Sequence, residues 1–164
     1  MASMHHHLIW TTYGTWLPGD ERGWLRSGVP AVQPPDPATR AACHGLMREE
    51  MVLLDDRQIR VVTETIMAHC QIRGWILLAV AAKTNHIHVV VESDRDGNEV
   101  RDQLKAWCSR RLSDLAGLAA STRKSGRRRW FTEGAYVRQI EHDDYLREAV
   151  RYVEEQREVV DNGQ

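Results

Sequence analysis

The chain has 164 residues, 42% of them hydrophobic and 27% charged, with a formal net charge of −1. That is the length and balance of one globular domain with a sizeable core, and it excludes a disordered, collagen-like or globally polybasic chain. No apolar run approaches the 18 residues of a membrane span and no signal-peptide pattern opens the chain, so a cytoplasmic protein is expected. Cys43, Cys70 and Cys108 are odd in number and fit no CxxC or finger spacing, which points to a reducing compartment rather than to disulfides or zinc.

The predicted elements run as follows. Residues 1–7 read as a tag or disordered start, with His5, His6 and His7 open to being either a short tag or native sequence, and no metal site is assigned to them. Leu8 to Thr15 is rich in β-branched and aromatic residues and predicts a first strand. Trp16 to Pro37 holds all five prolines of the chain, so residues 16–40 are read as an irregular insertion. A short helix is expected over Arg40–Glu50. A longer one is capped by Asp55 or Asp56, with Ile59, Val62, Ile66 and Cys70 on one side and Gly74 past its end. Trp75–Ala82 is an apolar run, predicting a strand buried on both faces. Asn85–Glu92 alternates, with Ile87, Val89 and Val91 on one face and His86, His88 and Val90 on the other. Gly97-Asn98 opens a helix with Val100, Leu104, Trp107, Arg111 and Leu115 at helical spacing. A basic loop, a strand from about Trp130 to Ile140 and a helix from Asp143 or Asp144 to about Glu158 complete the chain.

The order β-α-β-β-α-β plus a final helix is the split-βαβ, ferredoxin-like pattern of the α+β class. It implies an antiparallel four- to five-stranded sheet with helices on one face and a free opposite face, into which His86 and His88 would look. In the last helix, Leu146, Ala149, Val150 and Val153 form the apolar stripe. Tyr145, Tyr152 and Gln156 lie together roughly 90° to one side of it, at about 100° per residue.

Two imidazoles on one strand face and an amide oxygen on a helix can hold a divalent cation. With phosphate and water as further oxygen ligands, magnesium or manganese is favoured. A phenol beside such an ion can attack a phosphate. Tyr152 has Gln156 four residues on, whereas Tyr145 has Ala149, which cannot ligate. Arg123, Lys124, Arg127, Arg128 and Arg129 place five positive charges in seven residues. They are the expected phosphate contacts, with Trp130 beside them for stacking on unpaired bases.

Asn85-His86-Ile87-His88, with Tyr152-Val153-Glu154-Glu155-Gln156 beginning 64 residues after the second histidine, resembles the single-tyrosine HUH transposases, which are insertion-sequence-200-like and include the REP-associated tyrosine transposases. The likeness extends over nearly the whole chain. Trp10-Thr11-Thr12-Tyr13-Gly14-Thr15-Trp16-Leu17-Pro18-Gly19-Asp20 looks like the opening of one branch, and Gln103–Trp107 and Ala149–Val153 also look like family segments. The resemblance implies His86 and His88 as metal ligands, Gln156 as the third, and Tyr152 as the nucleophile. It also implies single-stranded hairpin DNA as substrate, a 5′-phosphotyrosine intermediate, a homodimer and no nucleotide cofactor. The alternatives are a replication initiator or relaxase of the same HUH superclass, and a non-catalytic nucleic-acid-binding module. The module reading is disfavoured because an RNA-recognition sheet would carry Phe or Tyr where His86 and His88 stand.

If the arginine run contacts the DNA backbone, neutralising two of its arginines should lower the salt slope of single-strand binding by roughly one to two units. Fluorescence anisotropy across a salt series reads this directly, and an unchanged slope with unchanged affinity would return the run to a solvated loop.

Overall fold

A computed structural model describes residues 2–26, 28, 29, 31–117 and 129–161, with the backbone alone for 158–161. Arg123, Lys124, Arg127 and Arg128 lie outside the described residues. The elements in chain order are β1 (Met4–Thr11), β2 (Trp24–Leu25), β3 (Val32–Gln33), α1 (Pro37–Gly45), α2 (Asp56–Arg73), β4 (Ile76–Ala82), β5 (His86–Ser93), α3 (Gly97–Leu115), β6 (Tyr136–Ile140) and α4 (Asp143–Asp161). The main sheet is antiparallel in the order β4-β5-β1-β6, the ferredoxin-like α+β arrangement expected, while β2 and β3 form a small separate ribbon within the insertion.

Local signals account for the helix ends. Asp55 accepts from the Gln58 N–H, and the Gln58 side chain accepts from the Asp55 N–H, a reciprocal cap that satisfies two orphan donors at the start of α2. Gly74 ends that helix at φ 70°, a left-handed conformation costly for other residues. Asp96 caps α3 and Asp36 caps α1. The helix expected over Arg40–Glu50 therefore starts earlier, at Pro37, because Asp36 and the proline at its first turn set the entry.

Helices α2 and α3 pack on one face of the sheet, where Leu8, Trp10, Ile87, Val89 and Val91 meet Val62, Ile66, Val100 and Leu104. The buried line of α3 is Val100, Leu104, Cys108 and Leu112. Trp107 is 41% exposed and Arg111 is also exposed, so the stripe inferred through those two residues is corrected by one position. Gln103 and Lys105 of α3 act as ties. The amide oxygen of Gln103 lies 3.0 Å from His69 Nε2, and Lys105 Nζ donates to the carbonyls of Thr132 and Gly134.

The opposite face is not left open. Helix α4 covers part of it, setting Ala149 and Val153 against Ala79, Ala81 and Val90. A β-bulge between Leu77 and Ala79 resets the register, after which Ala81 stands opposite His88. The small side chains at 79 and 81 let α4 approach the sheet closely beside the histidine strand.

Two further expectations are corrected. The first strand spans Met4–Thr11 rather than Leu8–Thr15, so His5, His6 and His7 are part of the sheet rather than a tag or disordered start. They pair with Glu92, Val91 and Val90, and His6 and His7 are buried. The last strand is shorter than Trp130–Ile140, and Trp130 is buried at 2% exposure with its indole N–H donating to Ser113 Oγ at 2.9 Å. Trp130 is thus core, closed to base stacking, because Phe131 bridges to Thr12 and draws the segment under the sheet's end.

Replacing Trp130 with alanine should cost about 3–5 kcal/mol of stability, the range for deleting a buried aromatic ring. Urea unfolding checks this, and a loss under about 1 kcal/mol would remove Trp130 from the core.

Candidate active site

The site is assembled on the sheet face that α4 partly covers. His86 and His88 alternate along β5, so both rings project from that face, with centroids 4.8 Å apart. Across the sheet, Thr11 stands opposite His86, Ile9 opposite His88 and His7 opposite Val90. His7 is therefore the diagonal neighbour of His88 on the same face, at 6.0 Å between ring centroids. Tyr152 arrives from α4 with its ring 5.6 Å from His88 and 6.5 Å from His7, edge-on to both. It remains 47% exposed, so its hydroxyl can meet a macromolecular substrate.

Tyr145, seven residues and so about two turns earlier on the same helix, is differently placed. Its hydroxyl accepts from Arg138 Nη1 at 2.6 Å, and the same guanidinium lies 4.1 Å over its ring. Of the two tyrosines, Tyr152 is the one in ring contact with the histidines. Gln156 is brought in one turn beyond Tyr152, where its Oε1 accepts from Lys83 Nζ at 3.0 Å. Lys83 sits at the hairpin that joins β4 to β5, its N–H closing the turn on the His86 carbonyl.

Burial and neighbouring cations keep the imidazoles neutral. His88, 3% exposed, has its pKa pushed down to about 3, chiefly by desolvation and then by His86, His7 and Lys83. His86 is lowered by desolvation, Lys83 and Arg22, and His7 by desolvation and Arg138. A neutral ring has a nitrogen lone pair available for a ligand.

The donor set fits a divalent ion. Both ring nitrogens of His88 and Nε2 of His7 are buried without a hydrogen-bond partner among the described residues. An orphaned buried polar atom is costly and calls for an occupant. His86 Nδ1 lies 2.6 Å from Asn85 Oδ1, which sets Nδ1–H as the donor and orients the ring with Nε2 as its other nitrogen. Among the described residues no three of His, Cys, Asp or Glu are grouped to hold an ion. Gln156 is tied to the site's edge through Lys83, whose charge acts on both rings.

Sequence reasoning missed His7, Lys83 and Arg22. His7 was discounted as part of a histidine run at the chain start; its alternation with Ile9 and Thr11 was the available signal. Lys83 stands three residues before His86 and becomes a site residue only through the hairpin. The backbone N–H of Arg129, the one member of the basic run that is described, donates to a Glu49 carboxylate, and its side chain is exposed.

Neither a family model nor a curated protein sequence matches the chain. Its fold does match solved structures. One is a putative transposase from Deinococcus radiodurans R1, at 14% identity and a TM-score of 0.51, with 95% of this chain and 92% of that one covered. Another is a REP-associated tyrosine transposase bound to a REP hairpin, at 11% identity and a TM-score of 0.52. That likeness covers 92% of this chain but 64% of the other, so the hairpin-bound protein has substantial length without a counterpart here. The chain therefore has the fold found in these transposases.

The lowered pKa values carry a stability consequence. In the unfolded chain a histidine takes up its proton near 6.5, whereas folded His88 resists until about 3. The unfolded state thus binds more protons between those values, and stability, full above about pH 6.5, should fall as pH drops toward 3. Metal-free thermal melts across this range should show the loss, and His88→Gln should flatten it; an unchanged slope in the variant would place the pH dependence elsewhere.

Proposed function

We propose that the chain is a single-tyrosine transposase that nicks and rejoins single-stranded DNA through a 5′-phosphotyrosine intermediate. The observation that carries this reading is the half-exposed Tyr152 ring set against a buried His88 whose two nitrogens have no partner among the described residues. A structural tyrosine on this helix would sit within the Ala149–Val153 stripe rather than over a polar, unsatisfied strand residue.

In this reading His86, His88 and Gln156 hold a magnesium or manganese ion, which when bound supplies a Lewis acid for a non-bridging phosphate oxygen. Tyr152 Oη attacks phosphorus, forming the Oη–P bond, and the bond from phosphorus to the 3′ oxygen breaks. That oxygen leaves as a 3′-hydroxyl, taking up a proton while the phenol gives one up. Attack of a 3′-hydroxyl on the phosphotyrosine reverses the exchange and rejoins a strand. The phosphodiester energy is retained in the covalent bond, so no nucleotide cofactor is required. Asn85 orients His86, and Lys83 holds the Gln156 amide while adding positive charge to the site.

The partner is single-stranded DNA that forms a hairpin, by analogy with the hairpin-bound structural neighbour. The protein acts as a homodimer in the cytoplasm. No helix among the described residues is long and apolar enough to cross a membrane, and Cys43, Cys70 and Cys108 are all free.

The test is covalent capture. Wild type incubated with labelled hairpin DNA from its own genomic flank and manganese, then denatured, should yield a protein–DNA adduct. Tyr152→Phe should keep folding and DNA binding but form no adduct, and Tyr145→Phe should still form one. An adduct from Tyr152→Phe together with its loss in Tyr145→Phe would reverse the assignment, and none from wild type would favour a binding module.

A further inference from the structure

The insertion between β1 and α1 is built around a buried charge. Asp20 is 2% exposed, and Arg22 grips it with two bonds, Nε to Oδ1 at 2.7 Å and Nη2 to Oδ2 at 2.8 Å. The Arg22 backbone N–H also donates to Oδ1. The guanidinium holds the Asp20 carboxyl down at about 2, so this is an ion pair at neutral pH. Burying a carboxylate is expensive unless it is paired, so the arrangement gives the loop one geometry.

That geometry presents an aromatic ring. Arg22 Cζ lies 4.1 Å from the centroid of the Trp16 ring, while the Trp16 indole N–H donates to the Gly23 carbonyl at 2.8 Å. The tryptophan is pinned at its edge and backed by a cation, yet it remains 41% exposed. The backbone of the loop is joined to the histidine strand by a short chain of hydrogen bonds. Arg22 Nη2 donates to the Thr15 carbonyl, Thr15 Oγ1 to the Thr12 carbonyl, and the Thr12 N–H to the Asn85 carbonyl. Asn85 in turn orients His86.

We propose that Trp16, backed by Arg22, is a stacking platform for an unpaired base of the DNA strand that enters the histidine site. The proposal rests on the transposase reading for the identity of the strand. An exposed, immobilised indole loses little entropy when a base stacks on it, and every base offers a π-face. Arg22 has 43% of its side chain exposed and adds positive charge where a phosphate backbone would pass. A second arginine-backed tryptophan supplies the contrast. Trp107 is equally exposed, with Arg110 Cζ 4.5 Å from its ring centroid, but it stands on α3, on the sheet face away from His86 and His88. The insertion thus acquires a role as one wall of the DNA entry.

The experiment uses fluorescein-labelled dT20, which has no hairpin of its own. Trp16→Leu should weaken its binding by roughly 5- to 150-fold, the scale of one base–aromatic stack. Trp16→Tyr, which keeps a flat ring, should recover to within about threefold of wild type. In a parallel measurement on unaltered protein, dT20 carrying 5-iodouracil should photocrosslink to the peptide containing Trp16. Equal affinity of wild type and Trp16→Leu, or crosslinks to Trp107 without Trp16, would overturn the platform. If Trp16→Leu binds normally and the Tyr152 adduct still forms, the platform alone falls; if wild type neither binds dT20 nor forms the adduct, the transposase reading falls with it. Should Trp16→Leu fail to fold, the crosslink map decides.

Discussion

The arrangement depends on how closely α4 can lie on the sheet. Ala149 and Val153 pack against Ala79, Ala81 and Val90, and this contact carries Tyr152 to the histidine strand and Gln156 to Lys83. Burying a valine side chain is worth about 1.5–3 kcal/mol, so Val90 and Val153, both at 0% exposure, anchor the helix firmly. A larger residue at 79 or 81 would lift α4 away and separate the phenol from His88. The bulge before Ala79 matters for the same reason, since the pairing of Ala81 with His88 follows from that shift. Helix and strand are covalently remote, so this packing is what makes them one site.

Burial does a second job by stripping water from the imidazoles. His88 and His7 are left with ring nitrogens that nothing among the described residues satisfies, and neighbouring positive charge discourages them from taking protons. The nitrogens are thus neutral and withdrawn from water, with the positive charges of Lys83 and Arg22 close by. The same logic shapes the insertion, where one buried carboxylate organises a loop whose outer surface is aromatic and cationic.

The alternation of His86 and His88 with Ile87, Val89 and Val91 was legible because a strand sends successive residues to opposite faces. The cap at Asp55, the stop at Gly74 and the Leu146–Val153 stripe were legible as local rules of helix formation. Helical spacing also placed Tyr152 and Gln156 together beside that stripe. The distinction between Tyr152 and Tyr145 was drawn from the residue four positions on; the structure separates them by partner, Arg138 for one and the histidines for the other.

What the sequence determined by itself was whatever depends on period and adjacency: the order of the main sheet strands and long helices, the faces of β5 and α4, and the placing of His86 with His88 and of Tyr152 with Gln156. Tertiary structure alone decided the rest, because pairing across strands leaves no mark on the residues that pair. His7 joined the site only when β1 aligned with β5, and Lys83 met Gln156 only when α4 crossed the hairpin. Trp130 looked available beside a basic loop until Phe131 bridged to Thr12 and closed the core over it. The cysteine at 108, not the tryptophan at 107, faces the core because the position of α3 on the sheet, rather than hydrophobicity, selects which side is buried.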